Sequence, residues 1–361
     1  MIATSSKQKT SALHSAFAAQ MDLLFAEGAP WPGAVAVSGG GDSIALMHLL
    51  ARWAKRTRRP PPIVVTVDHG LHPHAKRDAA RVMRWAKAAK LKAHTLRWTG
   101  PHPKSDIEAA ARQARYRLIG DWATKNNIAA LYVGHTRDDQ AETFLLRLAR
   151  GSGLDGLAAM RARAPYPLPG FPNLRVIRPL LAFGRDALRA HLTANGHTWL
   201  EDPMNGEDRF ARIRLRKLIP QLEAAGLDRA RIAAAAAHLA RARDSLEIVT
   251  EAVLARAAVP HAGILHVDPD ALTAAPREIG LRALAQLLMR VSGHAYRPRF
   301  ERLERLYDRL AAGTLGGGCT LHGCKIALVP GRRGVFGPGT LSLAAEIKPS
   351  RGKTTGPGVP S

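Results

Sequence analysis

The stretch AVAVSGGGDSIALMHLLARWAKR, residues 34–56, decides the fold. It joins a short β-rich run at 34–37 to a glycine turn, Ser38-Gly39-Gly40-Gly41-Asp42-Ser43, and then to a helical stretch from Ile44. Three consecutive glycines let a backbone curl around an anion without Cβ clashes. Ser38 and Ser43 add hydroxyl donors. Between a strand and a helix, such a turn places unpaired N–H groups at a helix N-terminus, where phosphate is held. The turn is neither GxGxxG nor GxxxxGK[ST]. Where the second motif has its lysine, this one carries Asp42, which repels bare phosphate unless a cation intervenes. Magnesium bridges carboxylate and phosphate oxygens in that way.

Outward from the turn the same alternation repeats. IVVTV at 63–67 reads as a strand ending at Asp68-His69-Gly70, followed by a helix over about 76–90. AHTLRW at 93–98 is a strand and 106–125 a long helix. IAALYV at 128–133 is a strand that ends in GHTRDDQAET and a helix to Arg150. Short apolar strands alternating with amphipathic helices mean βαβ units, hence an α/β, Rossmann-like parallel sheet covered on both faces. Ligands of such sheets sit at the C-terminal strand ends. Ser38–Ser43, Asp68, His69, Gly134, His135, Asp138, Asp139 and Glu142 therefore share one edge.

Around this core, residues 11–27 carry helical periodicity, and 151–183 is rich in Gly and Pro and reads as a connector. Helical patterns cover 184–196, 208–225, 227–258, 276–291 and 298–312, and 314–345 reads as short strands around glycine turns. The expected organisation is an N-terminal helix (1–27), a nucleotide-binding domain (28–215), a helical domain (216–312), a small mixed C-terminal domain (313–347) and a disordered tail (348–361).

Lys and Arg number 53 against 29 Asp and Glu, a net charge of +24, which attracts polyanions such as nucleic acid. In the segment 201–220, Arg209, Arg212, Arg214, Arg216 and Lys217 fall on one helix that Pro220 is expected to end. They spread around more than one face, so some meet solvent or an RNA backbone, with Arg212 and Arg216 at i,i+4 the preferred pair. Asp202 and Asn205 suit the turn before that helix. Cys319 and Cys324, the two cysteines, exclude a disulfide scaffold and a four-thiolate zinc site and point to a reducing compartment. No apolar signal core and no long apolar run is present, so the chain reads as cytoplasmic and not membrane-bound.

Ordinary structural explanations compete for several residues. Adjacent acids at a helix start are partly explained by capping and the macrodipole. A histidine such as His69 is often a buried tautomer on a carbonyl. Arg112 and Arg115, three apart on a helix with Glu108 one turn before Arg112, suit a solvated ion-pair face.

SGGGDS resembles the SGGxDS loop of the PP-loop ATP pyrophosphatases, which cleave ATP between the α- and β-phosphates and adenylate a substrate. Within that superfamily, five stretches resemble the tRNA(Ile)-lysidine synthase family. They are VDHGL (67–71), EAAARQARY (108–116), GHTRDDQAETFLLRLARGSGLDGLAAM (134–160), RPLL (178–181) and EDPMNGEDRFARIRLRKLIP (201–220), in order over most of 30–220. The family usually has arginine after VDHGL; this chain has His72.

The resemblance implies ATP and Mg2+, and adenylation at C2 of cytidine 34 in the CAU anticodon of tRNA(Ile). The ε-amine of free lysine then displaces AMP. It implies catalytic roles for Asp42, Asp138, Arg112 and Arg115, and ATP contacts from Ser38, Gly39, Gly40, Gly41, Asp42, Ser43, Asp68, His69, Gly134 and His135. Metal ligation falls to Asp42, Asp138 and Asp139, and tRNA contact to Arg209, Arg212, Arg216 and Lys217; a homodimer is compatible with it. Three alternatives remain: a PP-loop tRNA thiolase, a small-molecule amidotransferase and a non-catalytic RNA-binding protein. The first needs thiols near the nucleotide domain, the second has no use for +24 charge, and the third tolerates loss of Asp42.

Overall fold

The computed structural model describes residues 2–71, 73–99, 107–201, 211–261, 263–294, 296–330 and 334–346. The expectations for His72, Asp202, Asn205, Arg209 and 348–361, and for the side chains of Glu108 and Arg212, lie outside the described residues. The chain forms two compact units, Met1–Ala240 and Arg241–Ser361.

The first unit is built on a six-stranded sheet of order β3-β2-β1-β4-β6-β5. Its strands are β1 (Ala34–Ala36), β2 (Ile63–Asp68), β3 (Ala93–Arg97), β4 (Ala130–Tyr132), β5 (Arg163–Pro165) and β6 (Arg175–Ile177). All pair in parallel except the edge strand β5. The strand period of two sends alternate side chains into two cores. Val35, Val37, Ala130 and Tyr132 join one, with Phe17, Met21 and Leu24 of α1 (Ile2–Ala26), the buried stripe of α2 (Gly41–Arg56), and Leu188 and Leu192 of α7 (Arg185–Ala194). Ala34, Val65, Leu131 and Val133 join the other, with Tyr116, Ile119 and Ala123 of α4 (Ile107–Lys125). At about 1.5–3 kcal/mol per large apolar side chain, burial on two faces explains why three-residue strands persist here.

Two readings of this unit need correction. The segment 151–183, expected as a connector, contributes β5 and β6 and a short helix α6 (Leu154–Leu157). The parallel strand β6 matters because its C-terminal end feeds Arg178 and then α7 onto the ligand edge. Pro220 does not end its helix: α8 (Ala211–Ala224) runs through it. A proline inside a helix lacks one N–H and crowds the carbonyl four residues back, a local cost that leaves the next turn intact here.

The second unit is a five-stranded antiparallel sheet of order β7-β8-β11-β10-β9 with helices packed on it. The strands are β7 (Ala258–His261), β8 (Ile264–Val267), β9 (Cys319–Leu321), β10 (Cys324–Leu328) and β11 (Leu341–Ala345). Its core takes Ile279–Leu288 of α11 (Arg277–Ser292) and Leu303, Leu306, Tyr307 and Leu310 of α12 (Phe300–Ala311), the last four at i, i+3, i+4, i+7. The expected boundaries at 215/216 and 312/313 differ from the observed division, which falls inside α9 (Arg229–Ala257). The reason is the β7–β8 hairpin, which completes the sheet begun by β9–β11 and so joins 258–267 to the C-terminal strands. In the sequence it hides behind the end of a long helical pattern. The short helix α10 (Pro269–Thr273) has no counterpart among the expected elements; the other strands and helices lie within a few residues of their expected positions.

Candidate active site

The glycine turn links β1 to α2, as the sequence requires. Gly39 adopts φ +98°, the left-handed region open to glycine, and a Cβ there meets Leu200 Cδ1 at 2.5 Å. Leu200 N–H donates to the Gly39 carbonyl at 2.9 Å, so the Trp199–Leu200 segment braces the outside of the turn. Ser43 Oγ donates to the Gly40 carbonyl at 2.8 Å and lies 3.4 Å from Ser38 Oγ. The N-cap, Gly40, gives α2 no side-chain cap, which leaves its first-turn N–H groups for an anion. Gly134, after β4, is pressed against the turn: a Cβ there lies 3.1 Å from Asp42 C, Asp42 O and Ser43 Cα.

The acids converge on an arginine that sequence reasoning missed. Arg185, first residue of α7, donates from Nε to Asp42 Oδ2 at 3.0 Å and from Nη2 to Asp139 Oδ1 at 3.2 Å, with Nη1 3.8 Å from Glu142 Oε1. Its backbone N–H donates to Asp138 Oδ2 at 2.9 Å. Burial opposes the guanidinium charge, yet Asp42, Asp139 and Glu142 hold its pKa above the ordinary arginine value. The pKa of Asp42 is raised as well, which for an acid disfavours the charged form. Burial raises its pKa, Arg185 resists, and Asp139 and Asp138 add repulsion.

Asp139 closes a capping box with Thr136, accepting from its backbone N–H at 2.8 Å and its Oγ1 at 2.9 Å. Asp138 Oδ1 lies 3.4 Å from Arg229 Nε. Glu142, 2% exposed, accepts from Arg216 Nε at 2.6 Å. Arg216, expected on an RNA backbone, is thus turned onto an acid of this cluster, while Lys217 on the same helix is exposed.

A second group of charges is positive. Arg115 Nε donates to His69 Nε2 at 3.3 Å, and Arg178 Nε to His135 Nδ1 at 3.3 Å. Each acceptor nitrogen must then be unprotonated, so these rings orient the arginines without cancelling their charge. Burial lowers the pKa of both arginines, and Arg112, which stacks 5.0 Å from the Tyr116 ring centroid, repels both. Asp68 turns back on its own loop, accepting from Gly70 N–H at 3.1 Å. Arg178 was quoted in the sequence only as part of RPLL. Recognising β6 is the signal that places both it and Arg185 just beyond a strand end.

The implied magnesium can be tested against these atoms. Asp42 Oδ1 is buried and accepts no hydrogen bond, a vacant carboxylate oxygen that suits a hard cation. Asp138 and Asp139, expected as ligands too, have their oxygens engaged by Arg185, Arg229 and Thr136. Among the described residues no group of three or more His, Cys, Asp or Glu side chains is arranged to hold a metal. The residues therefore fit an ion held through Asp42 and completed by phosphate and water, not an all-protein cage.

A parallel sheet with an SGGGDS turn, an uncapped helix N-terminus and a vacant aspartate oxygen defines a PP-loop nucleotide-binding protein. The family model for the PP-loop domain matches residues 13–222. Curated relatives are tRNA(Ile)-lysidine synthases. That of Methylobacterium nodulans is 40% identical over 91% of this chain and 95% of its own length. Those of Wolbachia pipientis and Ruegeria pomeroyi are 36% and 42% identical, over 81% and 73% of this chain and 67% and 62% of theirs. The chain belongs to the tRNA(Ile)-lysidine synthase family, and it spans about two thirds of the longer of these relatives.

Proposed function

We propose that the chain is an ATP-dependent ligase that converts the anticodon cytidine of a CAU-bearing isoleucine tRNA to lysidine. The observation that carries this reading is the Ser38–Ser43 turn, whose uncapped α2 N-terminus carries Asp42 in its first turn and lies against Gly134. Its N–H groups hold the triphosphate so that the oxygen on C2 of the base attacks the α-phosphorus and pyrophosphate leaves. The ε-amine of lysine then attacks C2, and AMP departs with that oxygen. Arg112, Arg115 and Arg178 stabilise charge on the departing phosphates. Magnesium, when bound through Asp42, neutralises phosphate charge. Lysine attacks as the neutral amine, so a carboxylate of the Asp138–Glu142 group must position it and take its proton.

Lys217 and other exposed basic side chains meet the tRNA backbone, and the reaction belongs in the cytoplasm. No helix among the described residues is long and apolar enough to cross a membrane. The test is incubation with ATP, magnesium, labelled lysine and total tRNA. Label is expected in a single nucleoside, with one AMP released per lysine incorporated. Label in no nucleoside sinks the proposal.

A further inference from the structure

Asp42 is the only acid on the glycine turn, and its charge is already answered. Among the described ion pairs its partner is Arg185, whose guanidinium also meets Asp139 and Glu142. A divalent ion arriving alone must compete with a cation that three carboxylates hold. Two features make that cation replaceable instead of fixed. The Arg185 backbone is anchored through its N–H to Asp138 Oδ2, while its side chain is 22% exposed. It holds only Oδ2 of Asp42, and Oδ1 stays buried and unbonded. A guanidinium is also a bidentate partner for phosphate, so it gains contacts by turning from carboxylate to nucleotide.

We propose that Arg185 is the resident counter-cation of the nucleotide site: it excludes a divalent ion from Asp42 until phosphates arrive, then exchanges the carboxylate for phosphate. This rests on the nucleotide reading above and goes beyond it, because it sets an order in which metal and nucleotide bind together. By linkage, nucleotide and metal then raise each other's affinity by the same factor.

Manganese serves as the probe, with free ion read by electron paramagnetic resonance. The unaltered chain, Arg185→Gln and the double variant Arg185→Gln/Asp42→Asn are each titrated with Mn2+ alone. A second series adds a non-hydrolysable ATP analogue. The unaltered chain is expected to bind Mn2+ alone about tenfold or more weakly than Arg185→Gln, with the gain abolished in the double variant. With the analogue present, the unaltered chain binds the ion tightly.

Equal affinity of the unaltered chain and Arg185→Gln for Mn2+ alone overturns the proposal. If Arg185→Gln fails to fold by circular dichroism, the unaltered chain still decides. Retention of Mn2+ as tightly without analogue as with it refutes an exclusion role. Failure of the analogue to bind the unaltered chain, with the Mn2+ gain of Arg185→Gln intact, refutes the nucleotide site and leaves the exclusion standing.

Discussion

Replacing Gly134 by alanine tests whether the backbone after β4 sets the shape of the glycine turn. The added Cβ lands 3.1 Å from three backbone atoms at Asp42 and Ser43. None is the end of a flexible side chain, so the turn itself must retreat by a few tenths of an ångström. Overpacking of this kind costs about 1–3 kcal/mol. In a unit of this size that lowers the melting temperature by roughly 2–4 °C per kcal/mol. The retreat falls on the atoms that would grip the triphosphate. Since a misplacement of about 1 Å costs near 100-fold in rate, a shift of a third to a half of that predicts roughly a tenfold loss in adenylation. The assay pairs thermal melts with titration of an ATP analogue and pyrophosphate release. Gly120→Ala is the control: its Cβ meets the Phe171 ring at 2.6 Å in the other core, so it lowers the melting temperature without weakening nucleotide binding in the folded fraction. If Gly134→Ala melts like the unaltered chain and binds the analogue equally well, the close approach is not what shapes the turn.

Further expectations follow from the same atoms. Asp42→Asn removes a carboxylate whose pKa burial has raised, and whose charge is therefore a cost to the fold near pH 7. Its melting temperature should hold or rise while pyrophosphate release falls about 100-fold or more; a large loss of stability contradicts this account. Arg216→Ala strips Glu142 of its shortest hydrogen bond, and a destabilisation of about 1–3 kcal/mol is expected in denaturant melts, discounted because Arg216 is a third exposed. His14, His48, His191 and His197 cluster between α1, α2 and the end of α7, with Arg52 and Arg56 nearby. The His48 and His197 rings stack at 3.6 Å. Burial first, then neighbouring histidines, lower His48 and His191 to about 4, and Arg52 adds to the effect on His191. Lowered pKa values mean the folded state stays neutral while the unfolded chain takes up protons near pH 6.5, so stability is complete above that pH and drains away towards 4. A loss of roughly 2–4 kcal/mol by pH 5 should appear in melts; identical melting at pH 5 and 7.5 defeats the point. Binding of tRNA should weaken about 1,000-fold between 50 and 200 mM salt if six or so phosphates are contacted, as filter binding measures.

The parallel core was legible because its signals are local: apolar runs at 63–67 and 128–133, each ending in a polar turn, leave few alternatives. β6 was not legible. Three residues, Arg175–Ile177, show no period, and the Pro- and Gly-rich turn before them reads as loop. Missing β6 also hid Arg185, since nothing near it marks a partner for Asp42 at a separation of 143 residues. The histidine layer was invisible for the same reason, its members coming from three helices and a loop. Helix α8 was legible as basic, but the inward turn of Arg216 was not. Its spacing is compatible with any face, and only the position of Glu142 on α5 (Arg137–Leu148) selects one. Sequence periodicity reports which face of one element is apolar; it carries no information on which charges from separate elements meet.

The distribution of partners divides the site by sign, and that division has a chemical consequence. The acids Asp42, Asp138, Asp139 and Glu142 are each paired with a guanidinium. Arg115 and Arg178 are matched instead by His69 and His135, and among the described residues neither forms a salt bridge. A carboxylate in place of either ring would fix the guanidinium just as well and cancel its charge. The neutral imidazole supplies the orientation alone, so the full positive charge remains for phosphate at the moment pyrophosphate departs. Replacing His135 by aspartate should therefore preserve the position of Arg178 and still slow pyrophosphate release. Replacing it by asparagine, a neutral acceptor, should retain most of the rate. If the two variants release pyrophosphate equally well, the uncancelled charge of Arg178 is not what the histidine preserves.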